Sequence, residues 1–72
     1  MTDTVTRENL FDCPRHVIVF VDGREYSGEV CKPKKPDGYP TVVYLTTDGF
    51  VRVEFTVEAI LYAIKTEGVL YG

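Results

Sequence analysis

The pair Asp22-Gly23 follows directly on His16 to Val21, a run in which four of six residues are β-branched. An Asp-Gly pair after such a run is the strongest short-range hairpin signal, because both central positions of a type I′ turn need positive φ. The spacing therefore predicts a strand over His16 to Val21 and a second, Arg24 to Cys31, returning antiparallel to it. With a two-residue loop, Val21 faces Arg24, Val19 faces Tyr26 and Val17 faces Gly28. Val17, Val19, Val21, Tyr26 and Val30 then share one side, the expected core. The reverse side carries Ile18 and Phe20 among Glu25, Ser27 and Glu29. That apolar pair calls for a cover: the N-terminal turn, a symmetry mate or a partner.

Further along, Lys32 to Pro40 holds three of the four prolines, none of which can donate to a β-ladder, so an exposed loop is expected. Thr41 to Thr46 and Phe50 to Phe55 read as a second hairpin around the loop Thr47-Asp48-Gly49, with glycine at the left-handed position. That register gathers Val43, Leu45, Val51, Val53 and Phe55 on one face and leaves Val42, Tyr44, Arg52 and Glu54 on the other. A two-residue loop would mix apolar and charged groups on one side, and the segregated register is preferred. Thr56 is placed to cap a helix in which Val57, Ile60, Leu61 and Ile64 recur at i, i+3, i+4 and i+7. Lys65 suits the helix's C-terminal end, Gly68 offers a stop, and Val69-Leu70-Tyr71 can add a short strand. At the other end, Thr6 to Pro14 fits one or two helical turns, Thr6 capping and Pro14 stopping them.

At 72 residues there is room for one domain of a few kcal/mol stability. Residues 1–15 form an arm or short helix, and residues 32–40 the exposed lysine-proline loop. An apolar fraction of 44% allows a real core. No run approaches the roughly 18 apolar residues of a membrane span. Met1-Thr2-Asp3-Thr4 has neither the basic nor the apolar region of a secretory signal. Cys13 and Cys31 are the only cysteines, fewer than a secreted domain this small usually carries, so reduced thiols and a cytoplasmic setting are expected. The formal charge of −3 is uneven: residues 1–35 hold six basic and six acidic groups, residues 36–72 two and five. The acidic half repels phosphate.

No catalytic constellation stands out. Cys13-Pro14-Arg15-His16 with Cys31 offers three corners of a tetrahedral zinc site, with Asp12 or a neighbour as fourth, but no second paired motif accompanies it. A buried thiol and a half-exposed histidine at a strand start are the expected reading, and no metal or cofactor is assigned. A Cys-His dyad would need an orienting third group and an oxyanion donor pair, and neither is recognisable. The carboxylates are scattered, and Gly23, Gly28, Gly38 and Gly49 each sit in a turn or strand of their own, so no phosphate loop is present. Lys32, Lys34 and Lys35 beside Tyr39 place positive charge and a stacking ring together, as single-stranded nucleic acid binding uses. Against that stands a solubilising loop that blunts a sheet edge. Of the five tyrosines, Tyr26 and Tyr62 are expected in the core, Tyr39 and Tyr44 at a contact surface.

From Val17 to Val30 the chain resembles the first motif of the Sm-like family: alternating apolar residues, the glycine Gly23, and a second glycine, Gly28, five positions on. The preceding segment sits where that family has its N-terminal helix. The resemblance implies a bend at Gly28 that closes a small five-stranded barrel, a hairpin shared with SH3-like barrels. It implies RNA binding only where later motifs agree. Near Phe50-Val51-Arg52-Val53 the arginine of the second motif stands without its glycine, Asp37-Gly38-Tyr39 only loosely occupies the base-binding place, and a helix follows Thr56 where the family has its closing strand.

The fold expected is mainly β with some α: a four- to five-stranded antiparallel meander bent into an SH3-like or Sm-like barrel, with a C-terminal helix over the Val43, Leu45, Val51, Val53, Phe55 face. The function expected is a non-catalytic protein-binding module, a small regulator or inhibitor acting through Ile18, Phe20, Tyr39 and Tyr44. Its partner is another protein or a second copy of the chain. The alternative is an RNA or single-stranded nucleic acid binder using Lys32, Lys34, Lys35, Tyr39 and Arg52. No membrane role is expected.

Overall fold

A computed structural model describes residues 4–72; Met1 to Asp3, the start of the N-terminal arm and of the segment read for a secretory signal, lie outside the described residues. Strands β1 (His16–Val21) and β2 (Arg24–Cys31) form the first hairpin. Asp22 and Gly23 have φ of 51° and 79°, the doubly positive pair that a type I′ turn demands. Val21 pairs with Arg24, Val19 with Tyr26 and Val17 with Gly28, as the loop length requires. Val17 and Val19 are buried and Val21, Tyr26 and Val30 half-buried, so the expected core side is the one covered.

The second hairpin, β3 (Thr41–Thr46) and β4 (Gly49–Glu54), departs from expectation. Its loop is Thr47-Asp48 alone, with Thr46 paired to Gly49, Leu45 to Phe50 and Tyr44 to Val51. Gly49 takes the positive φ foreseen for it, 116°, but does so inside the ladder. The Thr46 hydroxyl holds the shorter turn, accepting the Asp48 N–H at 3.1 Å and donating to the Gly49 carbonyl at 3.0 Å. A one-residue slip exchanges faces. Val51, Val53 and Phe55 stay on the core side as expected, but Val42 and Tyr44 join them there in place of Val43 and Leu45. Val43, Leu45, Phe50, Arg52 and Glu54 share the other side.

The two hairpins join where Glu29, Val30 and Cys31 pair with Val43, Val42 and Thr41. Gly28 is buried at this junction, and a Cβ placed on it would lie 2.3 Å from Val42 Cγ1. Glycine is required there by the close approach of Val42. Beyond it the rings of Tyr26 and Tyr44 stack with centroids 5.0 Å apart and bridge the hairpins on the covered side.

Helix α1 (Val57–Thr66) follows. Thr56 caps it, its hydroxyl accepting the Ala59 N–H at 3.1 Å. The left-handed residue at its end is Glu67, with φ 54°, one position before the glycine expected to stop it, and the Gly68 N–H returns to the Ala63 carbonyl at 2.9 Å. The chain then forms β5 (Val69–Tyr71), parallel to β1, with Val19 beside Leu70 and Phe20 beside Tyr71. The sheet order is β4-β3-β2-β1-β5. It is a mixed, open sheet, so neither the all-antiparallel arrangement nor the closed barrel forms. The physical reason is α1: a crossover of about 15 Å carries the chain from one sheet edge to the other and delivers β5 in the direction of β1.

Ile60 and Ala63 of α1 pack with Val17, Val19, Val42, Tyr44 and Leu70. Leu10 and Val5 of the N-terminal segment complete this core. That segment is a series of turns, the arm and not the short helix of the two expected forms. Asn9 Oδ1 accepts the Thr6 N–H at 2.8 Å and Thr6 Oγ1 accepts the Asn9 N–H at 3.3 Å, a local exchange of the kind that competes with helix. The Arg15 side chain donates through Nε to the Leu10 carbonyl at 3.0 Å, closing the turn over the core. Across the surface the Arg7 guanidinium donates to the Glu58 carboxylate. That bond holds the Glu58 carboxyl below the usual glutamate range.

Candidate interaction surface

Helix and N-terminal segment both pack on one side of the sheet and leave most of the opposite side open, although Ala63, Ile64, Glu67 and Gly68 border its corner at His16, Ile18 and Ser27. Strand alternation assigns to the open side His16, Ile18 and Phe20 from β1, Glu25, Ser27 and Glu29 from β2, Val43 and Leu45 from β3, and Phe50, Arg52 and Glu54 from β4. Val69 and Tyr71 of β5 join them, paired with Ile18 and Phe20. Phe50 is 76% exposed, Leu45 60% and Ile18 38%. Phe20 is half-buried because Tyr71 packs on it edge to face, centroids 5.8 Å apart. The result is two apolar clusters on this face, Phe50 and Leu45 on β4 and β3, and Ile18, Phe20, Val69 and Tyr71 on β1 and β5, with Glu25, Ser27 and Glu29 of β2 between them.

At the foot of β3 and β4 the loop 32–40 borders this face. Lys32, Lys34, Lys35, Tyr39 and Arg52 line one groove of about 490 Å³ together with Glu54. Among the described residues none of these four cations has a carboxylate within 4.0 Å, so their charge faces water. The loop is exposed except at Pro33 and Pro40, as its proline content predicts.

The residues expected to form a protein contact are thus divided. Ile18 and Phe20 lie on the uncovered face, and Tyr39 lies in the groove. Tyr44 does not reach any surface: it is 5% exposed and stacked on Tyr26, because the shorter hairpin loop turns it inward. Tyr62, expected in the core, is 71% exposed, lying on the side of α1 opposite Ile60. Leu45, Phe50, Val69 and Tyr71 were missed as surface residues. The signal available for the first two was the two-residue loop, which groups Val42, Tyr44, Val51 and Val53 without a single charge. For the last two no local signal existed, since a parallel β1–β5 pairing is a non-local contact.

Cys13 and Cys31 are free thiols, the first exposed, the second half-buried. His16 Nε2 lies 4.0 Å from a Glu29 carboxylate oxygen, both exposed. Among the described residues no three of His, Cys, Asp and Glu converge as metal ligands would, and no helix is long and apolar enough to cross a membrane. Compared with family models, curated proteins and solved structures, the chain matches none.

Proposed function

We propose that the chain is a non-catalytic protein-binding module, a small regulator or inhibitor, acting through the uncovered face of its sheet. One observation carries this reading: six apolar side chains lie on a face that the described residues leave largely open, Phe50 and Leu45 on one side of β2 and Ile18, Phe20, Val69 and Tyr71 on the other, with Glu25, Ser27 and Glu29 of β2 between them and Arg52 and Glu54 at the edge. Monomeric proteins seldom leave this much apolar surface in water, and apolar patches set among charged residues mark contact surfaces. Phe50→Glu tests it. Phe50 is largely exposed, so circular dichroism and the melting temperature should stay unchanged while association through the face is lost. A variant that keeps every association of the wild type overturns the reading.

A second reading has its own observation, the convergence of Lys32, Lys34, Lys35, Tyr39 and Arg52 on one groove. The Sm-type hairpin from Val17 to Val30 and the pairing of cations with an exposed ring support a single-stranded nucleic acid or RNA ligand. Four phosphate contacts give a slope of about −3 in log affinity against log salt. Fluorescence anisotropy with a short oligonucleotide at low salt decides, and no binding at tens of micromolar protein removes this reading.

A further inference from the structure

We infer that the occupant of the uncovered face is a second copy of this chain, seated face to face with its strands running antiparallel to those of the first. This rests on the protein-binding reading and deepens it by naming the partner. The argument comes from the distribution of charge along the strands. Because β1 and β3 are both antiparallel to β2, the turns Asp22-Gly23 and Thr47-Asp48 lie at one end of the sheet and the loop 32–40 lies at the other. Among the described residues the turn end carries Asp22, Glu25 and Asp48 with Arg24 as its one cation. The loop end carries Lys32, Lys34, Lys35 and Arg52, with Asp37, Glu29 and Glu54 among them and His16 nearby.

A face-to-face pair of identical sheets can be related by a two-fold axis lying in the interface, either along the strands or across them. An axis along the strands sets like ends together, acidic on acidic and basic on basic. An axis across the strands sets each acidic turn end on the basic loop end of its partner. It also keeps the hairpins in register, so that Asp48 at the tip of β3 and β4 lies over the groove at the foot of the same strands in the other copy. The unpaired lysines and Arg52 then meet carboxylates, Ile18, Phe20, Val69 and Tyr71 meet the same cluster of the other copy, and Phe50 and Leu45 pack over Val43 and the stem of Arg52, in the near-aligned packing of a sandwich. Size agrees as well. The molecule's two longer extents are 35 and 29 Å, which leaves a face on the order of 800 Å², one partner's share of a standard interface.

The test is sedimentation velocity on the purified chain from 1 to 100 µM, with three variants: Phe50→Glu, Asp48→Lys, and Asp48→Lys combined with Lys35→Glu. All three positions are exposed, and circular dichroism verifies that each variant folds. The inference expects a wild-type dimer, weakening by at least about tenfold for Phe50→Glu and for Asp48→Lys, and recovery in the double variant because the charge pair is restored with its signs reversed. A dimer indifferent to Phe50→Glu, or an Asp48→Lys defect that Lys35→Glu deepens, overturns the arrangement. A wild-type monomer at 100 µM overturns the second copy as occupant. In that case, capture of a different protein that Phe50→Glu abolishes leaves the protein-binding reading standing, and oligonucleotide binding by the groove replaces it.

Discussion

The two faces of this sheet carry nearly the same kinds of apolar side chain, yet one is a core and the other a surface. Val19, Val42 and Ile60 are wholly removed from water on the covered side, while Phe50, Leu45 and Tyr71 stand in it on the other. The difference teaches that what makes a core here is the cover and not the strand. One ten-residue helix and a series of turns pinned by Leu10 are enough to bury one face of five strands. Among the described residues no element is left to lie across the other face.

The sharpest way to break the comparison is to remove apolar bulk from both sides. Ile60→Ala should cost about 2–5 kcal/mol, enough to unfold much of so small a domain, whereas Leu45→Ala should shift monomer stability by less than about 0.5 kcal/mol. Urea titrations followed by circular dichroism measure both. Equal losses would mean the uncovered face is part of the monomer's core. Next in size is Gly28→Ala, which drives a methyl into Val42, itself fully buried and with nowhere to move. The expected loss is about 1–3 kcal/mol, with part of it recovered in Gly28→Ala combined with Val42→Ala. If Gly28→Ala alone is neutral, the hairpins do not close on each other at that point.

Much of the covered face was legible in the sequence and little of the open one. The first hairpin followed from Asp22-Gly23, because a two-residue turn with positive φ leaves only one register. The helix followed from Thr56 and the spacing of Val57, Ile60, Leu61 and Ile64. The second hairpin was misread because the alternative loops both yield an apolar face, and the choice between them is made by Val42 packing on Gly28 and by the Thr46 hydroxyl. Both are contacts that sequence spacing does not encode. The parallel docking of β5 on β1 was illegible for the same reason, and with it went the open sheet in place of a barrel. Of the groove, the lysines and Tyr39 were neighbours in sequence, and Arg52 was joined to them by its place in the reading of the second hairpin. Its position over the loop depends on which way β4 faces.

Smaller effects sharpen the account of how the cover is held on. Glu67 occupies a left-handed position that costs a side chain about 1 kcal/mol, so Glu67→Gly should raise stability by up to that amount, read as a higher melting temperature. A lower one would show that the turn into β5 is set by something other than backbone conformation. The smallest effect is the exposed Arg7–Glu58 pair that ties the N-terminal segment to α1. Because the folded carboxyl titrates below its unfolded value, the pair's contribution is present at neutral pH. It is lost as pH falls from the usual glutamate range through the depressed folded value. Glu58→Gln should flatten that part of the acid limb in a pH-dependent stability curve and leave the alkaline limb alone.

The central claim is that the uncovered face is a contact surface whose apolar residues serve association and not folding. Sedimentation velocity of the wild type and Phe50→Glu, with melting temperatures measured on the same samples at a concentration where both are monomeric, tests it most directly. The account predicts a wild-type dimer, a monomeric variant and equal monomer melting temperatures. A variant that melts far below the wild type, or that dimerises as well as it does, would contradict it.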